Sequence, residues 1–145
     1  MPEYIVIGLG IFGRSLATAL QELGNEVIGV DIDRIVVQEM SGVIREAIQA
    51  DATSEATVRE LGVSNVDAAI VATGSPQDSI MITLILKKMG VSYVIAKAGD
   101  ELHGEILRLV GADRVVFPEE ETAMRLAHGI AVPEIVDYLS INRDM

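Results

Sequence analysis

Four segments of the chain share one pattern: an amphipathic stretch is followed by a glycine and then by a short apolar run. The glycines are Gly24, Gly62, Gly90 and Gly111. Glycine adopts the left-handed conformation at the end of a helix at little cost, so each of them marks a helix that feeds a strand. Repeated alternation of helix and strand is typical of a parallel sheet with helices packed on its faces.

Six strands are predicted from the apolar runs. They are short, largely lack polar–apolar alternation and are rich in Val, Ile and Ala, as strands buried on both faces of a sheet are. They cover residues 4–8, 27–31, 47–50 (the weakest), 68–72, 93–97 and 114–117. The predicted fold is α/β and doubly wound, with a six-stranded, mostly parallel sheet and helices on both faces.

Apolar stripes predict the helices between these strands. One runs from Phe12 to Leu23, a second follows the N-cap candidate Ser54 over 55–61, and a last one covers 123–130. We therefore expect one domain over 1–131. Residues 132–145, which begin with a break at Val132 and Pro133, are expected to form a hinge and the start of a segment that the chain does not complete.

The stretch from Ile80 to Met89 is more apolar than a helix on a sheet requires. Its apolar side chains cover roughly 240° of the helix circumference, whereas packing on a sheet needs about 100°. Two interpretations stay open at this point: a deeply buried core helix, or a helix that also forms a subunit interface.

Composition excludes several kinds of site. The chain has 22 acidic and 11 basic residues, no cysteine and two histidines. A basic patch for nucleic acid, a disulfide framework and a thiolate site are therefore excluded. His103 and His128 are expected on helix surfaces. The uncharged run 79–86 is far shorter than the ~20 residues of a membrane span, and no signal-peptide pattern opens the chain, so we expect a cytosolic domain.

The segment Gly8-Leu9-Gly10-Ile11-Phe12-Gly13 is a GxGxxG motif between a predicted strand and a predicted helix. Gly8 permits a tight turn, Gly10 lets backbone approach a pyrophosphate, and Gly13 permits close helix–strand packing. The helix N-terminus offers free N–H groups to phosphates. Asp31, which ends the second strand, is placed to accept hydrogen bonds from a ribose, so the pattern indicates a Rossmann-like site for NAD or another adenosine ligand rather than NADP.

Further candidates follow other strands, since ligands of parallel sheets bind at the carboxyl ends. Asp51 and Ala52 are placed to face the adenine, or Asp51 is an exposed loop acid. Thr73 and Gly74 permit close approach of a ligand, or serve turn chemistry alone. Lys97 is placed to neutralise phosphate, or is merely solvated.

Motifs for a reaction are missing. The sequence contains no GxSxG, no HExxH and no phosphate-loop lysine. Dehydrogenases usually build the substrate site from a second domain, for which few residues remain. We therefore expect a cofactor site without a reaction site.

The chain resembles the RCK domain, also called the KTN or TrkA N-terminal domain, found in the cytosolic gating subunits of Ktr and Trk potassium transport systems. The resemblance covers essentially the whole chain. It rests on IVIGLGIFGRSLA at 5–17, EVIGVDID at 26–33, QADAT at 49–53, ELGVSNVDAAIVATG at 60–74 and GADRVVFPEEETA at 111–123.

The resemblance implies a non-enzymatic regulator that forms dimers and then an octameric ring beneath a membrane potassium channel or transporter. It places Gly8, Gly10 and Gly13 around the phosphates, Asp31 at the ribose, Asp33 and Asp51 at the adenosine end, and Lys97 on the polyphosphate side. The predicted cofactor-binding set also includes Ile11, Phe12, Ile32, Ala52, Thr73, Gly74 and Glu119. Glu119 is implied near the nucleotide at the dimer contact, where its carboxylate would bind a divalent cation. The helix at 80–89 would be dimer surface, and the last helix a crossover helix with Pro133 near a hinge.

One departure concerns ligand choice. Relatives that prefer ATP carry an arginine between the second and third glycines, where this chain has Ile11. NAD(H), ATP, ADP and AMP therefore all remain candidates. Two alternatives to a nucleotide-binding regulator are a cofactor-binding fragment of an NAD-dependent oxidoreductase, with Lys97 or His103 recruited for acid–base work, and an assembly module with a vestigial pocket.

Overall fold

A computed structural model describes residues 2–131 of the chain. Its strands are β1 (Glu3–Ile7), β2 (Glu26–Asp31), β3 (Glu46–Gln49), β4 (Ala68–Val71), β5 (Val94–Lys97) and β6 (Arg114–Val116). Its helices are α1 (Ile11–Glu22), α2 (Arg34–Met40), α3 (Glu55–Leu61), α4 (Pro76–Lys88), α5 (Glu101–Leu109) and α6 (Pro118–Ala131), and a 3₁₀ turn covers Val63–Asn65.

The six strands form one sheet in the order β3-β2-β1-β4-β5-β6, and every neighbouring pair is parallel. The predicted fold class is thus confirmed, with a sheet that is parallel throughout the described residues. Strand order reverses between β1 and β4, where Tyr4 lies beside Val27 on one side and Ala68 on the other. In sheets of this kind the crevice at the carboxyl ends beside the reversal is where ligands bind.

Two apolar layers hold helices on opposite faces of the sheet. On one face α1 and α2 pack through Ala17 and Met40 onto Val6, Val27 and Ile70 of the sheet. On the other face α3, α4 and α5 pack through side chains that are at most 6% exposed, Val58, Ile82, Ile85, Leu86 and Leu107. Central strands are covered on both faces, which explains their unalternating sequences.

Local signals set the helix ends. Ser54 accepts a hydrogen bond from the Thr57 N–H and begins α3, as predicted, and Gly62 ends that helix in the left-handed conformation with φ 66°. α2 escaped prediction because it is short and carries the β-branched run Ile35 to Val37, although Asp33 caps its N-terminus.

Packing in the core explains part of the apolar surface of α4. One face is core, with Ile82, Ile85 and Leu86 buried, while Met81 and Leu84 remain 41% and 45% exposed. The helix also begins at Pro76, earlier than the apolar run indicated. A buried face alone therefore accounts for only part of its apolar circumference.

Helix α6 begins at Pro118 and leaves the sheet with an uncovered apolar side. Leu126 and Ile130, four residues apart on this side, are 63% and 74% exposed among the described residues, and Met124, on a different side of the helix, is 55% exposed. The expected hinge and further segment, 132–145, lie outside the described residues. Within 2–131, none of the helices has the length and apolar character needed to cross a membrane.

The prediction that His103 lies on a helix surface is wrong. Its side chain is only 7% exposed, because its position on α5 turns it toward α4, next to the buried Gly104 and one turn before the buried Leu107. His128 on α6 is exposed, as expected.

Candidate nucleotide-binding site

A cavity of about 560 Å³ opens at the carboxyl ends of the strands, beside the point where strand order reverses. Loops that follow β1, β2, β3 and β4 contribute to it, together with Lys97 at the end of β5. Of the residues predicted for the site, eleven line this cavity: Gly8, Gly10, Ile11, Phe12, Asp31, Ile32, Asp51, Ala52, Thr73, Gly74 and Lys97. The fold thus brings most of the predicted residues together, from positions up to 89 residues apart in sequence.

The glycine loop is shaped by close backbone contact. Gly8 has φ 97°, a conformation that L-residues rarely adopt, and a Cβ there would lie 2.7 Å from the Thr73 backbone nitrogen. Gly13 lies beneath the loop and does not line the cavity; a Cβ on it would stand 1.8 Å from the Gly8 carbonyl oxygen. Gly10, by contrast, has open space around its Cα. Only glycine at 8 and 13 lets α1 begin directly above β1.

Asp31 is tied into this loop. Its Oδ2 accepts a hydrogen bond from the Leu9 N–H at 2.7 Å, and its Oδ1 accepts one from the Asp33 N–H at 2.8 Å. A carboxylate has about four lone-pair positions. Two backbone donors therefore fix its orientation and leave acceptor capacity for hydroxyl groups of a ligand in the cavity.

Asp33 does not line the cavity. Its Oδ1 accepts a hydrogen bond from the Ile35 N–H at 2.9 Å and so caps α2. The Asp33 side chain therefore stabilises the N-terminus of α2, a role that its sequence position near Asp31 does not reveal. The position of Asp33 at the adenosine end of a ligand stays a prediction.

Asp51 lines the cavity at the end of β3 and is held by Thr53. Its Oδ1 accepts hydrogen bonds from the Thr53 hydroxyl at 2.6 Å and from the Thr53 N–H at 3.0 Å. These bonds, the hydroxyl first, hold the pKa of the Asp51 carboxyl below its ordinary value. Asp51 is therefore a fixed negative charge at neutral pH.

Lys97 lies on the opposite side of the cavity from the acids that follow β2 and β3. Its ammonium group stands 5.7 Å from the centre of the Phe12 ring, a distance at which an aromatic face attracts a cation. Lys97 supplies the cationic side chain among the cavity-lining residues, while Asp31, Asp51 and Asp78 supply three carboxylates. Arg14 instead bonds to Leu9 and Glu39 on the outer side of α1.

Beside Lys97 the cavity continues into a second, smaller cavity of about 200 Å³. Thr73, Gly74 and Lys97 border both cavities, and Glu119 borders the smaller one. The Thr73 hydroxyl is buried and has no hydrogen-bond partner among the described residues. This side chain is thus a free donor and acceptor at the junction of the two cavities.

Sequence reasoning missed the first turn of α4. Ser75 caps this helix through its hydroxyl, which accepts from the Asp78 N–H at 3.3 Å, and both residues line the larger cavity. The signal was present as a serine followed by Pro76 and then by an acid in the first turn, which is typical of a helix start. Within 2–131, no group of three or more His, Asp and Glu side chains lies together in a way that could hold a metal.

The strand order, the glycine turn and the acid that ends β2 define a domain of the Rossmann type. The sequence model of the TrkA-N domain matches residues 4–118, and the chain belongs to this family.

Known proteins agree with this assignment. The chain is 42% identical over 143 residues to the Ktr system potassium uptake protein C of Bacillus subtilis, covering 98% of this chain and 65% of that relative. It therefore spans less than two thirds of the relative's length. Among solved structures, the TrkA-N domain of the inner membrane protein ybaL from Escherichia coli superposes with a TM-score of 0.77 at 19% identity, covering 87% of this chain and 94% of that one. The GsuK channel bound to NAD superposes with a TM-score of 0.71 at 21% identity, covering 79% of this chain and 21% of that one. These two solved structures therefore share the fold of this chain.

Proposed function

We propose that this domain is a non-enzymatic, ligand-sensing part of a potassium transport regulator, and that its ligand is an adenine nucleotide or NAD(H). The observation that carries the proposal is the joint position of Asp31 and the glycine loop on one cavity at the carboxyl ends of the strands. The name of the Bacillus relative, a potassium uptake protein, supports the transport context, and the NAD bound by the structurally similar GsuK channel supports the ligand class.

The cavity suggests how such a ligand lies. The free lone pairs of Asp31 accept from the ribose hydroxyls of the adenosine, and Asp51 and Ala52 border the same end. The phosphates pass over Gly10 at the N-terminus of α1, where unpaired N–H groups and the helix dipole favour anions. Thr73, Gly74 and Lys97 then flank the distal phosphates or the second nucleoside of NAD(H).

Assembly is the second part of the proposal. Met81 and Leu84 on α4 and the uncovered side of α6 offer apolar surface for a second copy of the chain. We propose that dimers formed in this way build an octameric ring that contacts an integral-membrane potassium channel or transporter at the cytoplasmic face of the membrane. Glu119, exposed at the start of α6, is proposed to hold a divalent cation at the dimer contact.

The domain boundary is a further part of the proposal. Residues 1–131 form the nucleotide-binding domain with α6 as the crossover helix, and 132–145 begin the connection to a further segment.

The test is calorimetric titration of nucleotide-stripped protein with ATP, ADP, AMP, NAD⁺ and NADH. We expect binding by at least one of them, and a loss of affinity of about tenfold or more in Asp31→Asn, because a hydrogen bond to a charged group contributes roughly 1.5–3 kcal/mol. A melting-temperature increase with ligand checks each titration, since a ligand of the native state stabilises it by mass action.

Asp67→Asn is the matched control. Asp67 also accepts a backbone N–H, from Glu3 at 2.8 Å, but at the opposite end of the sheet. Equal losses in both variants would show that stability rather than ligand contact is being measured. Absence of binding by all five nucleotides would overturn the ligand proposal, and turnover of nicotinamide with a small substrate would favour the oxidoreductase alternative.

A further inference from the structure

A buried polar chain joins α4 to α5 beside the candidate site. The Ser79 side chain is fully buried and His103 is 7% exposed. The Ser79 hydroxyl oxygen lies 2.7 Å from His103 Nε2 and donates its own hydrogen to the Pro76 carbonyl oxygen at 2.9 Å. On the other edge of the ring, the Gly99 N–H donates to His103 Nδ1 at 3.2 Å.

These contacts define the protonation state of the ring. Nδ1 accepts from Gly99, so it carries a lone pair and no proton. The one hydrogen of Ser79 goes to Pro76, so Nε2 must donate to the serine oxygen. Both ring nitrogens are satisfied in the neutral Nε2–H form, and a proton added at Nδ1 would face the Gly99 N–H as donor against donor.

The chain connects two segments that border the nucleotide cavity. Pro76 and Ser79 belong to the first turn of α4, from which Ser75 and Asp78 line the cavity. Gly99 follows Lys97 by two residues at the end of β5. Between these segments the smaller cavity is bordered by His103 together with Lys97. The ring therefore holds the lysine-bearing strand end against the start of α4.

We propose that His103 is a positioning residue whose neutral form assembles the phosphate side of the site, so that proton uptake by this ring weakens nucleotide binding. This inference rests on the proposed nucleotide function. Histidine side chains in general change charge between about pH 5 and 8, so the proposal is tested over that range.

Charged groups around the ring come from each packed element. The positive charge of Lys97 on β5 disfavours a positive charge on the His103 ring. The carboxylates of Asp100, Glu119 and Glu120 favour a positive charge on the ring; the two glutamates stand at the start of α6. Asp100 Oδ1 also accepts a hydrogen bond from the backbone N–H of His103 at 2.8 Å. On α4 the direct contact is the uncharged Ser79, with Asp78 on the cavity side. A proton on Nδ1 would face the Gly99 N–H, so two hydrogen-bond donors would oppose each other. The neutral ring avoids this contact and therefore fits the site.

The first experiment uses nucleotide-free protein and no variant. Nitrogen NMR of the His103 ring from about pH 7.5 to 5.5 reports its tautomer, and the Gly99 amide reports its hydrogen bond. We expect the Nε2–H tautomer at the higher pH, and a shift of the Gly99 amide with the same midpoint as the ring. An Nδ1–H tautomer, or a Gly99 amide that does not respond when the ring charges, would overturn the proposal whether or not any nucleotide binds.

The second experiment measures affinity for NAD⁺ at the same two pH values. A terminal phosphate monoester itself takes up a proton near pH 6, so NAD⁺, which has none, is the suitable probe. We expect NAD⁺ to bind about tenfold more weakly at the lower pH, a typical size for coupling between two sites. His103→Asn, whose amide oxygen can accept from Gly99 without titrating, should remove most of this pH dependence.

His128→Gln is the matched control, since it removes the other histidine of the chain from an exposed position on α6. It should keep the full pH dependence. Equal pH dependence in wild type and His103→Asn, or its loss in His128→Gln, would overturn the role of His103. Lack of NAD⁺ binding at every pH would instead count against the proposed ligand, and the ring and amide titrations would still decide the positioning role.

Discussion

The Leu9 N–H donates a hydrogen bond of 2.7 Å to Asp31 Oδ2, which joins the loop after β1 to the last residue of β2. The acid proposed to contact a ribose therefore also positions the turn proposed to contact the phosphates. Its second oxygen accepts from the Asp33 N–H, whose own side chain caps α2. A change at Asp31 is thus expected to alter ligand contact and loop position together, whereas a change at Asp67 tests only the loss of a backbone hydrogen bond elsewhere in the sheet.

Alanine at Gly13 is expected to reduce stability, whereas alanine at Gly10 is expected mainly to reduce nucleotide affinity. A Cβ at Gly13 would lie 1.8 Å from the Gly8 carbonyl oxygen, so Gly13→Ala should lower the free energy of unfolding by about 3 kcal/mol or more. Gly10 has open space and φ −71°, so Gly10→Ala should change stability by about 1 kcal/mol or less. The new methyl group should nevertheless weaken nucleotide binding. Chemical denaturation and calorimetry of both variants measure the two effects.

Two results would contradict this assignment. Native-like stability of Gly13→Ala would show that α1 does not approach β1 as closely as described. Unchanged affinity of a folded Gly10→Ala protein would place the phosphates away from the start of α1.

Lys97→Met is expected to weaken binding of ATP and ADP more than binding of AMP. Lys97 is the cation among the described residues that line the cavity, and methionine keeps much of its apolar length beside Phe12. Loss of a charged contact should lower ATP affinity by about tenfold or more. Titration of the three nucleotides measures the difference.

Lys88→Met is the control for this change, because Lys88 lies at the far end of α4 and pairs with Glu55 at 2.8 Å. Equal effects of both lysine variants on ATP, or an equal loss for AMP and ATP in Lys97→Met, would indicate a general charge effect and would support the interpretation of Lys97 as merely solvated.

Asp113 should make stability depend on pH. Partial burial raises the pKa of its carboxyl, but hydrogen bonds from Lys87 at 2.9 Å and from the Val94 N–H at 2.8 Å, with the lysine's charge, outweigh burial and leave the pKa below its ordinary value of 3.8. A lowered pKa in the folded state contributes stability that is present above pH 3.8 and is lost as the pH falls through the folded-state value.

Asp113→Asn should therefore lower the free energy of unfolding by about 1–2 kcal/mol at neutral pH. The difference from wild type should shrink in acid. Urea denaturation at neutral pH and below the ordinary value of 3.8 measures it. A difference of the same size at both pH values would mean that amide geometry, rather than the carboxylate charge, causes the loss.

The uncovered side of α6 should govern assembly. Sedimentation velocity should show dimers or larger species of the wild-type chain, and Leu126→Glu should shift them toward monomers, because burial of a charge without a partner is costly. Leu23→Glu is the control: this side chain is 78% exposed, compared with 63% for Leu126, but lies at the end of α1. A wild-type chain that stays monomeric at high concentration, or equal dissociation in both variants, would count against the proposed dimer surface.

Most of the sheet could be predicted from sequence because its signals are local. The predicted strand 27–31 corresponds to β2 at Glu26–Asp31, and 114–117 to β6 at Arg114–Val116. Glycines past helix ends and unbroken apolar runs act within a few residues, so a single sequence displays them. Helix α2 was missed because its Ile35 to Val37 run has a low helix propensity, and packing against β2 and β3 stabilises it instead.

Side-chain roles near the site were harder to predict. Asp31 ends β2 and Asp33 follows it by two residues, yet one lines the cavity and the other caps α2. His103 lies on a helix whose sequence suits a surface, but α4 places Ser79 within hydrogen-bond distance of its ring. These outcomes depend on which segment arrives opposite a side chain, and sequence spacing does not contain that information.

The amino-acid sequence thus determined the order of strands and helices, the glycine turn after β1, and the acid at the end of β2, because each follows from backbone sterics and the period of apolar residues. The folded chain determined which acids face the cavity, the buried and hydrogen-bonded histidine between α4 and α5, and the apolar side of α6 left uncovered. These depend on contacts between residues far apart in sequence, such as Leu9 with Asp31 and Ser79 with His103, which exist only once the sheet and its helices have packed.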